Sequence, residues 1–354
     1  MGLNAIAQWG DRLMSGRYRA RVRDEPMMKA FVLSQYGAAN NLELKAIAKP
    51  VPRAGEVLVK VYATAINDWD WCLLRGSPAV IRLFYGLWRP RITILGAEIA
   101  GRVEAVGENA AQFQPGDAVY GDISDGGGGF AEYVCVPETA LTRKPEPMSF
   151  AQAAALPHAA ALALQGLRDQ GQLRPQQKVL INGAGGGVGT LAVQIARAAG
   201  VTEITGVDDG SKAELMRSLG FTHTIDYTQT DFTAGPQRYD LILDTKTNHF
   251  PLRYLRVLNP GGTYVTVGGA TPNLLQTLLL GPFVRRLTQK DLRLVVLKPN
   301  QDMAAVNRLF EAHQLTPQID GPYSFSQIPA LIQYFGAGEH QGKIVVKWAG
   351  DSNP

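Results

Sequence analysis

Residues 181–190, Ile-Asn-Gly-Ala-Gly-Gly-Gly-Val-Gly-Thr, are the part of the chain whose spacing speaks most directly of chemistry. The run follows an apolar stretch, Lys178–Asn182, and opens a helical one, Leu191–Ala199. In a dinucleotide-binding turn three small residues are needed: one for the tight turn, one for backbone approach to a pyrophosphate, one for close helix–strand packing. Ala184, Gly186 and Gly189 take those places, with Gly185, Gly187, Val188 and Thr190 completing the loop. The helix start then turns unpaired N–H groups and the positive dipole end toward phosphate. Asp208 follows about 20 residues later, where an acid accepts hydrogen bonds from a ribose 2′-hydroxyl. Ser211 and Lys212 lie close enough to serve a 2′-phosphate instead, and Lys212 also reads as a solvated residue in a first helical turn. The choice between NAD(H) and NADP(H) stays open at this level.

Those residues need a rigid frame. Six short apolar runs alternate with helical segments: 178–182, 203–207, 223–226, 239–244, 263–268 and 292–297. That alternation predicts a doubly wound parallel sheet. Before Ser149 the texture differs. In 57–65, Val57, Val59, Val61, Ala63 and Ala65 recur at the period of a half-buried strand, and Pro115-Gly116 suits a type II turn. Evenly spaced strands of this kind predict a small barrel-like β domain. Ser149 is a plausible N-cap for the helix-rich stretch that follows. An amphipathic helix over 303–313 and a strand over 342–347 close the chain.

Composition narrows the classes. A chain of 354 residues with 45% apolar and 19% charged side chains has room for two packed domains. Net charge +4, with Lys and Arg interspersed, lacks the stripe of a nucleic-acid binder. Cys72 and Cys135 are too few for a disulfide framework and fit a reducing, cytoplasmic setting. The first 27 residues carry Arg12, Arg17, Arg19, Arg21 and Arg23 among acids, and read as a loose extension rather than an address signal. The apolar segment Leu274–Val284 is too short to span a bilayer. It reads as a cleft wall or a subunit contact in a homodimer, ahead of peripheral membrane contact beside Arg285, Arg286 and Lys290.

Ordered blocks along the chain resemble the medium-chain dehydrogenase/reductase superfamily: 65–67 Ala-Ile-Asn, 94–101 Ile-Leu-Gly-Ala-Glu-Ile-Ala-Gly, 115–119 Pro-Gly-Asp-Ala-Val, 129–133 Gly-Phe-Ala-Glu-Tyr, 153–157 Ala-Ala-Ala-Leu-Pro, the glycine loop, 260–262 Pro-Gly-Gly and 342–346 Gly-Lys-Ile-Val-Val. Within it the chain is similar to the quinone oxidoreductases and their relatives. The resemblance implies an α/β protein: a GroES-like β-barrel-type catalytic domain over 28–156 and 298–354, and a Rossmann NAD(P)-binding domain inserted over 157–297. It places Asn67 near the nicotinamide, Tyr227 with the loop, Asp208 and Lys212 at the adenosine end, and Gly268 and Gly269 beside the nicotinamide half. The zinc-dependent branch has Cys where Asn67 stands and Gly-His-Glu where this chain has Gly96-Ala97-Glu98, so two metal ligands are missing. No metal is expected. His158, near the position of a third ligand, reads as a core or cleft-lining residue, and Glu98 as structural.

Without a Lewis acid, hydride transfer to an electron-poor acceptor demands least of the protein. The expected activity is therefore zinc-independent, NAD(P)H-dependent reduction of a quinone or conjugated enone, with a small apolar substrate. Asn67, through its amide, and Tyr85 are the candidate catalytic donors. Asp68 and Asp70 are expected to orient the Asn67 loop. An enoyl-thioester or aldehyde reductase, or a non-catalytic NAD(P)H-binding protein, are the rival readings.

Overall fold

The computed structural model describes residues 26–269 and 271–348. The extension read over residues 1–27 lies outside the described residues up to position 25, and Met27 already belongs to the first strand. Strands β1 (Met27–Leu33) and β2 (Leu42–Ala48) form an antiparallel pair. Next come β3 (Glu56–Ile66), β4 (Glu98–Val106), β5 (Ala118–Asp122), β6 (Tyr133–Pro137) and β7 (Thr142–Arg143), which belong to a seven-stranded sheet. Register shifts in β3 against β4 between Leu58 and Val59 and between Val61 and Ala63 mark bulges, the device that curves a sheet toward closure.

The chain then leaves for a second sheet of β8 (Lys178–Asn182), β9 (Glu203–Asp208), β10 (His223–Asp226), β11 (Tyr239–Asp244), β12 (Leu258–Thr266) and β13 (Asp291–Leu294). All neighbours pair in parallel, in the order β10-β9-β8-β11-β12-β13. This is the doubly wound order, with the reversal between β8 and β11 opening a crevice at their carboxyl ends. Val179, Leu180 and Ile181 of β8 are fully buried, as a parallel strand covered on both faces requires. Finally β14 (Ile319–Ser324) and β15 (Lys343–Lys347) return to the first sheet, β15 pairing antiparallel with β3 from Ile344–Ile66 to Lys347–Ala63. The cofactor-type sheet is thus inserted within the barrel-type one.

Between them lies the helix Pro157–Leu164, every residue of which is buried. Its alanines let both sheets approach, and one apolar core joins Ala63, Ala65 and Ala100 to Val179, Ile181 and Leu241. Proline at the first helical position gives up only an N–H that would be unpaired there anyway. Ser149 caps the preceding helix Phe150–Ala154, exchanging side-chain and backbone bonds with Gln152.

One expectation needs correction. Leu274–Val284 sits in the helix Thr271–Thr288 but does not line the cleft, which that helix reaches only through Thr271 and Pro272. Leu275, Leu278, Leu279, Phe283 and Leu287 point to solvent, because Thr277, Gly281 and Val284 form the face turned inward. Among the described residues no helix is long and apolar enough to cross a membrane.

Candidate active site

The glycine loop leaves β8 in a turn whose left-handed residue is Gly183, at φ +84°. A side chain there would strike Thr245 Oγ1 at 2.1 Å. The turn-making role read at Ala184 therefore belongs to Gly183. Gly186 caps the helix Gly187–Ala198 in extended conformation, and a Cβ on Gly189 would stand 2.3 Å from the Gly183 carbonyl oxygen. The close-packing role of Gly189 follows from that contact. The first turn of the helix, at Gly187, Val188 and Gly189, lacks intrahelical acceptors for its N–H groups. Gly187 and Val188 line the cleft; buried Thr190 turns its hydroxyl back to the Gly187 carbonyl at 3.2 Å.

At the end of β9 the Asp208 carboxylate turns inward. Its Oδ2 accepts from Gly185 N at 2.9 Å and its Oδ1 from Asp209 N at 2.9 Å. Lys212 is 2% exposed, so the reading of it as a solvated residue fails. Its Nζ donates to the Gly338 carbonyl at 2.9 Å and lies 3.4 Å from Asp208 Oδ1. Asp208 is thus neutralised by a buried partner. Tyr227 is half exposed beside it, and a cavity of about 440 Å³ here is lined by Asp208, Ser211, Lys212, Tyr227 and Lys246.

That cavity adjoins a larger cleft of about 640 Å³ between the two sheets, with Gly183 and Lys246 lining both. The size is that of a small-molecule site. One wall carries Gly186, Gly187, Val188, Val267, Gly268 and Gly269. Gly269, at φ +119°, would drive a Cβ to 2.2 Å from Thr247 Cβ, and Gly268 O accepts from Thr266 Oγ1 at 2.8 Å. His340 is 7% exposed, stacked on Phe335 with ring centroids 4.8 Å apart, and its Nδ1 has no partner. Burial, followed by the nearby Lys212 and Lys246 charges, pushes the His340 ring down to about 4. A cleft-lining ring with an unsatisfied nitrogen, set across a glycine-walled cleft with Lys212 and Lys246 nearby, fits a bound dinucleotide.

The opposite wall is built by charge. Asn67 caps the helix Asp68–Arg75: its Oδ1 accepts from Trp69 N and Asp70 N, and its Nδ2 donates to Glu98 Oε2 at 3.1 Å. Asn67 lines the cleft, but its carbonyl is fully engaged and one of its two amide hydrogens is spent. Asp70 does orient this loop, its Oδ1 accepting from Gly96 N at 2.8 Å and its Oδ2 from Asn67 N at 3.2 Å. Burial pushes Asp70 up to about 7. Glu98 is fully buried and binds three elements, accepting from Asn67 Nδ2, from His158 N at 2.8 Å, and from Lys343 Nζ on β15.

Tyr85 is not brought to this wall. It ends the helix Val80–Tyr85, packs edge-on to Trp69 with centroids 5.2 Å apart, and its carbonyl accepts from Tyr36. Tyr85 is not among the residues lining the cleft, so the donor role expected of it has no geometric support. His158, read from the sequence as a core or cleft-lining residue, does line the cleft, and what the sequence did not reveal is its pair of carboxylate partners. Its Nδ1 lies 2.8 Å from Asp122 Oδ2 and its Nε2 3.6 Å from Asp68 Oδ1, inside the cleft. No local pattern near Leu156-Pro-His-Ala159 announces these partners, because one ends β5 and the other starts the helix Asp68–Arg75.

The residues at the metal-ligand positions form no metal-binding donor set: Asn67 is committed to the backbone, Ala97 has no donor, and His158 faces carboxylates at both nitrogens. Among the described residues no group of three or more His, Cys, Asp or Glu is placed to hold a metal ion.

Comparison with known proteins agrees with this architecture. A family model described as an alcohol dehydrogenase GroES-like domain matches residues 53–146, and one described as a zinc-binding dehydrogenase matches residues 219–346. The chain is 31% identical over 330 residues to a 2-methylene-furan-3-one reductase of Solanum lycopersicum, covering 90% of this chain and 79% of the relative. The same figures relate it to a chloroplastic NADPH-dependent alkenal/one oxidoreductase of Arabidopsis thaliana. The solved quinone oxidoreductase from Coxiella burnetii superposes with a TM-score of 0.80 at 27% identity, covering 91% of this chain and 99% of that one. With a Rossmann sheet inserted in a GroES-like barrel and a glycine-walled cleft between them, the chain belongs to the medium-chain dehydrogenase/reductase superfamily, in its quinone-oxidoreductase-like branch, and is an oxidoreductase.

Proposed function

We propose that the protein is a zinc-independent, NADPH-dependent reductase of small apolar enones and quinones. The observation that carries this reading is the two-walled cleft: a phosphate-type glycine loop on one side, a web of satisfied polar groups on the other, and apolar Ile66, Trp71, Leu162, Val188, Val267 and Phe335 between. The relatives' names share one chemistry, a carbonyl conjugated to a C=C bond. A reduced nicotinamide bound along the loop supplies hydride there. The protein's part is to hold the acceptor flat between apolar walls, exclude water, and hydrogen-bond the oxygen on which charge gathers.

NADPH is favoured over NADH because Lys212 cancels the Asp208 charge that would otherwise repel a 2′-phosphate. Ser211, Tyr227 and Lys246 line the same cavity and offer donors to it. The test is oxidation of NADPH and NADH by chelator-treated protein with enones and quinones of increasing alkyl length. Expected is NADPH oxidation that survives chelation, at least about tenfold faster than with NADH, a difference of ~1.4 kcal/mol. Lys212→Met should narrow that ratio. Activity lost on chelation, or no acceptor reduced by NADPH-bound protein, overturns the reading.

A further inference from the structure

Resting on the reductase reading above, we propose that His158 is the proton donor of the cleft: its Nε2–H, facing Asp68, protonates the carbonyl oxygen of the acceptor. The ring is fixed from behind. Asp122, 2% exposed, accepts from Nδ1 at 2.8 Å and is itself held by Ser124 N at 2.8 Å, which sets the ring plane as a carboxylate does in other oriented histidines. The backbone is fixed too, through His158 N to Glu98 Oε1 at 2.8 Å. The front is open. Asp68 Oδ1 lies 3.6 Å from Nε2, beyond the usual 2.7–3.2 Å of a hydrogen bond, and the Asp68 side chain is 63% exposed. A carbonyl oxygen entering the cleft can take the position at Nε2 by displacing the exposed Asp68 carboxylate.

Asp122 accepting at Nδ1 and the Asp68 charge facing Nε2 together favour the imidazolium, the form that carries a proton on both nitrogens. Burial alone would discharge the ring, but the bond to Asp122 and the facing charges of Asp68 and Asp122 outweigh it and push His158 up to about 10. The same contacts hold Asp122 below the usual carboxylate range against its own burial, and lower Asp68 as well. The other ionisable groups on the surrounding elements include Cys72 and Arg75 on the Asp68 helix, Glu98 on β4 and Lys343 on β15, which pair with each other, and Asp70, turned toward Gly96 N and Asn67 N. An acceptor oxygen that displaces Asp68 removes one stabilising carboxylate from the imidazolium just where the proton is wanted.

The step balances. As the β-carbon of an enone gains hydride, the C=C electron pair moves to the carbonyl oxygen. The Nε2–H bond breaks, an O–H bond forms, and the enol tautomerises to the saturated ketone. The neutral imidazole regains a proton from water through exposed Asp68.

The test joins NMR and kinetics. In cofactor-free protein, carbon-13 histidine spectra, with His158→Gln to assign the signal, should show a doubly protonated ring at neutral pH that titrates above about pH 9. With NADPH and an enone, His158→Gln should lose about 100-fold in kcat, the lower end of general-acid effects, while its NADPH affinity holds within about twofold. Asp68→Asn, exposed and safe for folding, should lower the NMR transition and raise KM. A ring neutral below pH 7, or a folded His158→Gln with kcat within about threefold of the parent, overturns the assignment. A parent protein that reduces no acceptor overturns the reductase reading as well, whereas an active parent with an equally active His158→Gln overturns the role of His158 alone.

Discussion

Replacing Glu98 by Gln keeps shape and removes one charge, at a position where the surrounding groups offer no compensation. Glu98 is fully buried and Lys343 only 6% exposed, so the ammonium loses the counter-charge its desolvation requires. The amide cannot be turned to repair this. Its NH2 in place of Oε2 faces Lys343 Nζ and Asn67 Nδ2; in place of Oε1 it faces His158 N. Breaking a buried pair by removing one partner costs ~3–5 kcal/mol. For 354 residues, unfolding entropy at ~2.1 cal/mol/K per residue comes to about 0.7 kcal/mol/K, so Tm should fall by about 4–7 °C. Differential scanning calorimetry at neutral pH reads this directly. The double variant E98Q/K343M, which removes the orphaned charge, should recover more than half of the loss. A single variant within about 1 °C of the parent, or a double variant worse than the sum of its parts, would refute the argument.

Three further outcomes are expected. Gly189→Ala places a Cβ 2.3 Å from Gly183 O and 2.6 Å from Ala184 Cα, so NADPH should bind about tenfold more weakly by fluorescence titration; unchanged affinity counts against the loop as the cofactor cradle. His158 is raised when folded, to about 10 from 6.5, so its contribution to stability is whole below about pH 6.5 and is lost as pH rises toward 10. Melting curves across that range should fall more steeply for the parent than for His158→Gln, by an amount approaching ~1.4 kcal/mol per pH unit, and parallel curves exclude the ionised ring. The homodimer expected of this chain has the exposed face of Leu275, Leu278, Leu279 and Phe283 available to it; Leu279→Glu with Phe283→Glu should shift light scattering toward monomer, and a parent already monomeric removes the expectation.

Much of the fold was legible without coordinates because its signals are local. The inner strands β8, β9 and β11 are short, mostly apolar runs between turn residues, and a parallel strand buried on both faces has to look that way, whereas the edge strands β10 and β13 are only partly buried. The glycine loop was legible for a similar reason: backbone approaching a phosphate or a packed strand leaves no room for a Cβ, and that demand is written in residue type. Even there the left-handed position fell one residue early, at Gly183 rather than Ala184, because φ is set by how the turn meets Thr245. The sequence by itself determined the two sheets, the cofactor turn and the absence of the metal-ligand residues at Asn67 and Ala97. Tertiary structure alone decided which charges meet. His158 lies 36 residues from Asp122, and Lys212 lies 126 from the carbonyl of Gly338 that covers it. Such contacts leave no periodicity behind, since each partner is supplied by a different element, and the shared core and the closing of β15 on β3 bring the cleft walls together.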